Sequence, residues 1–137
     1  MAAEEVDSNE YIIRRIPAPL DQSTKVVDGV ERPTSQRMQL RTGVDTGLSC
    51  SRISTTSPKA LLEQLSTHGI DPDGWGVCVL LVEDIKKLGF EVVSVPEELD
   101  KGHCEIRGDF VRKTPKRLAK IARMLSDDEI ISGQIVD

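Results

Sequence analysis

Between Gly102 and Gly108 the chain sets an imidazole, a thiol, a carboxylate and a guanidinium within five residues, His103-Cys104-Glu105-Ile106-Arg107. These are the groups of general acid–base and nucleophilic chemistry. His103 would exchange a proton near neutral pH, Glu105 would orient it or act separately, and Cys104 would be a nucleophile. Read as a strand, the stretch sends His103 and Glu105 to one face and Cys104 with Ile106 to the other. That alternation disfavours a Cys–His dyad within the strand. It equally fits a structural arrangement, with His103 and Glu105 facing solvent while Cys104 and Ile106 fill the core. The one other histidine, His68, falls in the last turn of a predicted helix, where the helix dipole favours an imidazolium. Two histidines and the dispersed cysteines Cys50, Cys78 and Cys104 do not make a transition-metal site from sequence neighbours. Carboxylate sites for Mg²⁺ stay open.

Two further groups carry chemistry. Arg14-Arg15 precedes a hydroxyl-rich stretch, Ser49-Cys50-Ser51-Arg52-Ile53-Ser54-Thr55-Thr56-Ser57, that leads into a helix start. Arginine and hydroxyls there would hold a phosphate or ribose, although Ser57-Pro58 already reads as a helix cap. Adjacent arginines in a strand point oppositely, so only one is expected to line a given pocket. The second group is a basic helix with Arg112, Lys113, Lys116, Arg117, Lys120 and Arg123 and no acid over 111–125. It reads as a surface for RNA, DNA, a nucleotide phosphate or an acidic partner, or as a solvated face balanced by Asp127-Asp128-Glu129. Neither glycine-rich phosphate fingerprint is present.

The elements that must position these groups follow from patterning. Tyr11–Ile16 reads as a strand stopped at Pro17. Residues 17–36 read as mostly loop, with a short extended piece at 25–27, and 37–41 as a short strand. Leu48–Ile53 reads as the next strand. A helix over 57–68 has Ser57 as cap, Pro58 in the first turn and Gly69 as terminator. The unbroken apolar run 77–82 implies a strand buried on both faces, hence central. One helical turn to Gly89 and the alternating stretch 90–95 follow. Leu118, Ile121, Ala122 and Leu125 mark a second helix over about 114–125, capped by Thr114. The tail after Asp127 reads as an edge strand. Together these predict an α+β fold: one domain over 10–137, with a mixed or mainly antiparallel sheet packed by two principal helices. The acidic residues 1–9 have few anchors and are expected to be mobile.

A formal charge of −5 argues against bulk attraction to nucleic acid or an anionic membrane while leaving room for a local basic surface. No apolar run reaches the roughly 20 residues of a bilayer span. An acidic start without a signal peptide's pattern and an odd number of cysteines point to reduced thiols in the cytoplasm. Composition leaves self-association open.

Two resemblances can be named. Tyr11, Arg14-Arg15-Ile16-Pro17, Leu48-Ser49 and Gly102-His103-Cys104-Glu105-Ile106-Arg107-Gly108 resemble short bacterial proteins of unknown function, over most of the chain. Residues 79–92 are similar to a strand–turn–Gly–strand unit of RNA 2′-phosphotransferases and other ADP-ribosyltransferase-like folds. That second resemblance implies NAD held by an early Arg, a Ser on a later strand and a late polar residue, here Arg14, Ser49 or Ser51, and Glu105. The phosphotransferases' His-Gly-Thr motif and a Glu-x-Glu are absent. The leading expectation is a non-catalytic accessory or protein-interaction domain of a bacterial operon, without a cofactor, contacting a polyanion through the 112–123 helix. The alternative is a nucleotide-handling enzyme acting on NAD or RNA with Arg14, Ser51, His103 and Glu105 around one pocket. A second alternative is a ribonuclease-like toxin using His103.

Overall fold

The computed structural model describes residues 4–41 and 43–136; the mobility expected of residues 1–3 falls outside them. The α+β class holds, with every strand pair antiparallel among the described residues. In chain order the elements are β1 Tyr11–Ile16, α1 Leu20–Ser23, β2 Thr24–Val27, β3 Val30–Pro33, a 3-10 segment Ser35–Met38, β4 Leu48–Arg52 and α2 Pro58–Thr67. There follow β5 Gly76–Leu81, α3 Val82–Lys87, β6 Glu91–Ser94, β7 His103–Arg107, α4 Thr114–Ile121, β8 Arg123–Met124 and α5 Asp127–Ser132. Six strands form one sheet in the order β6-β7-β4-β1-β5-β8, and β2 with β3 forms a separate hairpin.

Register divides the sheet into two faces of different chemistry. One carries Ile12, Arg14 and Ile16 of β1, Cys78 and Leu80 of β5, Cys50 of β4, and Cys104 and Ile106 of β7. Against it pack Ile85 of α3, Leu118 and Ala119 of α4, and Met38 and Val6, making the larger core. The other face carries Ile13 and Arg15, then Val77 and Val79, Ser49 and Ser51, and His103 and Glu105. Its apolar half, over β1 and β5, is covered by Leu61 of α2 and by Leu125. The polar half over β4 and β7 bears Ser49, Ser51, His103 and Glu105.

Local sequence explains the helix that does the covering. The Ser57 side chain accepts a hydrogen bond from the Ala60 backbone, Pro58 occupies the first turn, and Leu61 and Leu65 face inward. Gly69, at φ +75°, provides the left-handed residue that turns the chain out of α2.

Several expectations are corrected. Residues 37–41 are not a strand, because Ser35–Met38 coils into a 3-10 turn that buries Met38. Residues 17–36, read as loop, contain α1 and a β2–β3 hairpin turned at Asp28-Gly29. The basic helix stops at Ile121 rather than 125. Ala122 is extended, and Arg123 and Met124 pair with Val79 and Cys78, so the apolar spacing runs on into a strand. Leu125 accordingly joins the opposite core face. The tail is not an edge strand, since Ser126 and Glu129 form a reciprocal capping box that starts α5. β5 is buried as expected but lies next to β8, and β6 occupies the far edge of the sheet. Residues 4–9 do have an anchor. Val6 is 1% exposed, its N–H donates to the Val92 carbonyl, and Ser94 N–H donates to the Glu4 carbonyl. No helix among the described residues is long and apolar enough to cross a membrane.

Glu129 ties down the chain's end. Its carboxylate accepts from both Arg123 terminal nitrogens at 2.9 and 2.8 Å, from Ser126 N–H and from Val136 N–H. The Arg123 guanidinium and these backbone donors hold its acid dissociation well below the usual carboxylate range. A depressed carboxyl stabilises the fold above its unfolded value, about 4.3, and progressively less as pH falls below it. Glu129→Gln is therefore expected to cost about 2 kcal/mol at neutral pH, since Arg123 stays partly solvated. Urea titrations at neutral and acid pH should show the wild-type and variant stabilities converging in acid.

Candidate functional site

β1 and β4 are joined over only two residue pairs, Ile12 with Arg52 and Ile13 with Ser51. Beyond them Arg14, Arg15 and Ile16 pair with β5 alone, and the sheet splits. A cleft of about 830 Å³ occupies the split and the polar half-face beside it, a size suited to small-molecule sites. Arg14, Ser51, His103 and Glu105, drawn from three strands, all line it. Both histidines and the single Trp, Trp75, line it too. The expectation that only one of the two adjacent arginines could reach a pocket fails for a physical reason. Arg15 shares the face of Ser51 and His103, while Arg14 enters from the opposite face through the gap. Its Nε donates to the Arg37 carbonyl at 3.0 Å and its Nη1 to the Ser49 carbonyl at 2.7 Å. Arg14 thus ties β4 and the 3-10 segment together across the split.

Arg15 donates to the Leu61 carbonyl at 3.1 Å and is half-buried. Burial lowers its acid dissociation from the usual arginine value, with the Asp100 charge opposing and the Arg14 charge adding to that shift. Arg37, from the 3-10 segment, donates to Ser23 Oγ at 3.1 Å. Among the described residues none of these three arginines has a carboxylate within ion-pair distance. Arg41, Arg52, Arg107 and Arg123 each have one.

The opposite wall is acidic: Glu97, Glu98 and Asp100 on the loop before β7, and Glu105 on β7. Asp100 is 6% exposed and is the loop's anchor. It accepts from Ser51 Oγ, from Thr56 Oγ1 and from Gly102 N–H. Only glycine fits at 102, because a Cβ there would lie 2.6 Å from Thr56 Oγ1. His103, opposite Ser51 in register, has Nδ1 at 2.9 Å from the Val95 carbonyl. A carbonyl only accepts, so Nδ1 carries the proton. Nε2 lies 3.8 Å from Glu97 Oε1. Glu105 is occupied by Arg107 and by Thr46 Oγ1 at 2.9 Å.

The two halves of the expected His103/Glu105 pair therefore share a face but bond to different partners, and neither is freely solvated. Ser51 is bonded to a carboxylate, so this is not a Ser–His–Asp arrangement. Cys104 and Cys78 lie in the core away from the cleft, whereas Cys50, also buried, lines its floor. Burial pushes Cys50 up to about 11 and Cys78 up to about 12, and raises Cys104 as well. Among the described residues no cluster of His, Cys, Asp and Glu could hold a metal ion.

Sequence reasoning named the Arg14-Arg15 pair but committed only Arg14 to the site, and it did not single out Arg37, Asp100 or Trp75. Asp100-Lys101-Gly102 had a readable turn signal; Arg15 needed the strand register. Of the basic-helix set, Arg112, Lys113, Lys116, Arg117 and Lys120 are exposed, while Arg123 sits in β8 and is committed to Glu129. Comparison of the chain with protein-family models, curated proteins and solved structures returned no match.

Asp100→Ala leaves Ser51, Thr56 and Gly102 without their acceptor, and urea denaturation should show a loss of about 2–4 kcal/mol. With the thiols buried and protonated, iodoacetamide at neutral pH should leave all three cysteines unmodified in the folded protein, by intact mass, and label all three in urea.

Proposed function

We propose that the chain is a non-catalytic binding domain for a small phosphate- or pyrophosphate-bearing molecule of the nucleotide class, held at the split of the sheet. The observation that carries this is the set Arg14, Arg15 and Arg37. These are three partly buried cations lining one cleft without carboxylate partners among the described residues. A guanidinium that has lost hydration is stabilised by an anion, and an arginine's planar fork matches phosphate oxygens. The facing carboxylates of Glu97 and Glu98 are acceptors suited to sugar hydroxyls. Trp75 offers a ring face for a base.

This reading draws on both leading expectations. It keeps the non-catalytic role and takes its ligand from the nucleotide-handling alternative, to which NAD belongs. Catalysis is less well supported. Ser51 donates its hydrogen bond to Asp100 rather than to an imidazole, and His103 Nδ1 is held by the Val95 carbonyl. Three unpaired thiols support a reducing, cytoplasmic setting.

Trp75, as the single tryptophan, reports directly on the cleft. Titration with ADP, NAD and ribose 5-phosphate is expected to change its fluorescence saturably. Arg15→Ala, which removes charge-assisted hydrogen bonds each worth about 1.5–3 kcal/mol, should weaken binding at least about tenfold. Absence of saturable binding by fluorescence and by calorimetry for all three, or an unchanged affinity in Arg15→Ala, overturns the reading.

A further inference from the structure

α4 presents a second, independent cationic feature on another part of the surface. Lys113, Lys116, Lys120 and Arg117 are spaced three, four and seven apart, so on a helix of 3.6 residues per turn they form one stripe. All four are exposed, and Arg112 adjoins them. The other side of the helix buries Thr114, Leu118 and Ala119, which fixes the stripe outward. Among the described residues none of the five makes an ion pair, although Lys86, Lys87, Arg41, Arg52, Arg107 and Arg123 do. No acid occurs from Phe110 through Ser126. Five of the chain's 18 cations thus stand together on a protein whose formal charge is −5.

We infer that this stripe docks the phosphate backbone of a nucleic-acid strand. The charge geometry selects that occupant. Lys113 to Lys120 span about 10 Å at about 1.5 Å per residue, and each strand of a duplex carries one phosphate per about 3.4 Å of axis, so a strand in that stacked geometry lays up to about three phosphates along the stripe. The stripe contains no apolar residue. Acidic protein partners draw most of their affinity from buried aromatic or aliphatic anchors, whereas a phosphate backbone is held by charge and counterion release alone. Contact of this kind positions a strand without reading its bases. The inference stands whether or not the cleft binds a nucleotide.

The test is fluorescence anisotropy with a labelled, mixed-sequence single-stranded RNA of about 20 nucleotides, at about 50 and about 200 mM NaCl. For about three phosphates, affinity is expected to fall about twentyfold between the two salts. Lys116→Glu/Arg117→Glu should reduce low-salt affinity at least about tenfold, with an unchanged circular dichroism spectrum and melting temperature. Lys59→Glu/Lys101→Glu changes the formal charge equally at exposed sites outside the stripe and should bind nearly as wild type. No binding at low salt, or equal loss in the two double variants, overturns the inference. Displacement of the RNA by polyglutamate at equal charge concentration overturns it in favour of an acidic protein partner.

Discussion

Two residue pairs between β1 and β4 join the two longer-paired parts of the sheet, β1 with β5 on one side and β4 with β7 on the other. Where β1 and β4 part, backbone groups lose their ladder partners, and each must be satisfied some other way. Arg14 meets part of that need by spanning the gap to the carbonyls of Ser49 and Arg37. The parting therefore persists as a cleft instead of collapsing. A fully zipped β1–β4 pair would leave no room for a ligand and no route for Arg14 to the polar side.

The cleft's electrostatics follow from the same geometry. One wall is basic because two adjacent arginines reach it from opposite faces of the sheet, joined by Arg37 from the 3-10 segment. The facing wall is acidic because the loop before β7 is folded around Asp100, whose carboxylate gathers Ser51, Thr56 and Gly102. A ligand with an anionic end and a hydroxylated end matches this polarity. The Ser51 hydroxyl and His103 Nδ1 meanwhile help to hold the walls in place.

Much of the fold was legible because local chemistry and tertiary outcome agree. Ser57-Pro58 and Gly69 bound α2, the apolar run gives β5, and the alternation at 103–106 sends Cys104 and Ile106 inward. The sequence misleads where one pattern serves two structures. Leu118, Ile121, Ala122 and Leu125 keep helical spacing, but the outer edge of β5 draws residues 123–124 into pairing. The Ser126–Glu129 capping box, by contrast, was there to be read and indicates the helix that the tail's isoleucines obscured. At the site, Ser51, His103 and Glu105 were visible as residue types. Arg15's membership depends on strand register, a long-range property that no window of sequence contains.

The strand formed by residues 91–94 ends the sheet on one side, where a bare row of amide and carbonyl groups would be a template for a foreign chain. Val6 and Glu4 occupy that row, through Val6 N–H to Val92 and Ser94 N–H to the Glu4 carbonyl. At the opposite end the last strand is two residues long, too short to nucleate pairing. The first described residues thus serve as a hem. A chain cut back past Val6 would present an open β-edge next to an uncovered apolar socket, a combination that favours sheet-to-sheet polymerisation over a discrete particle.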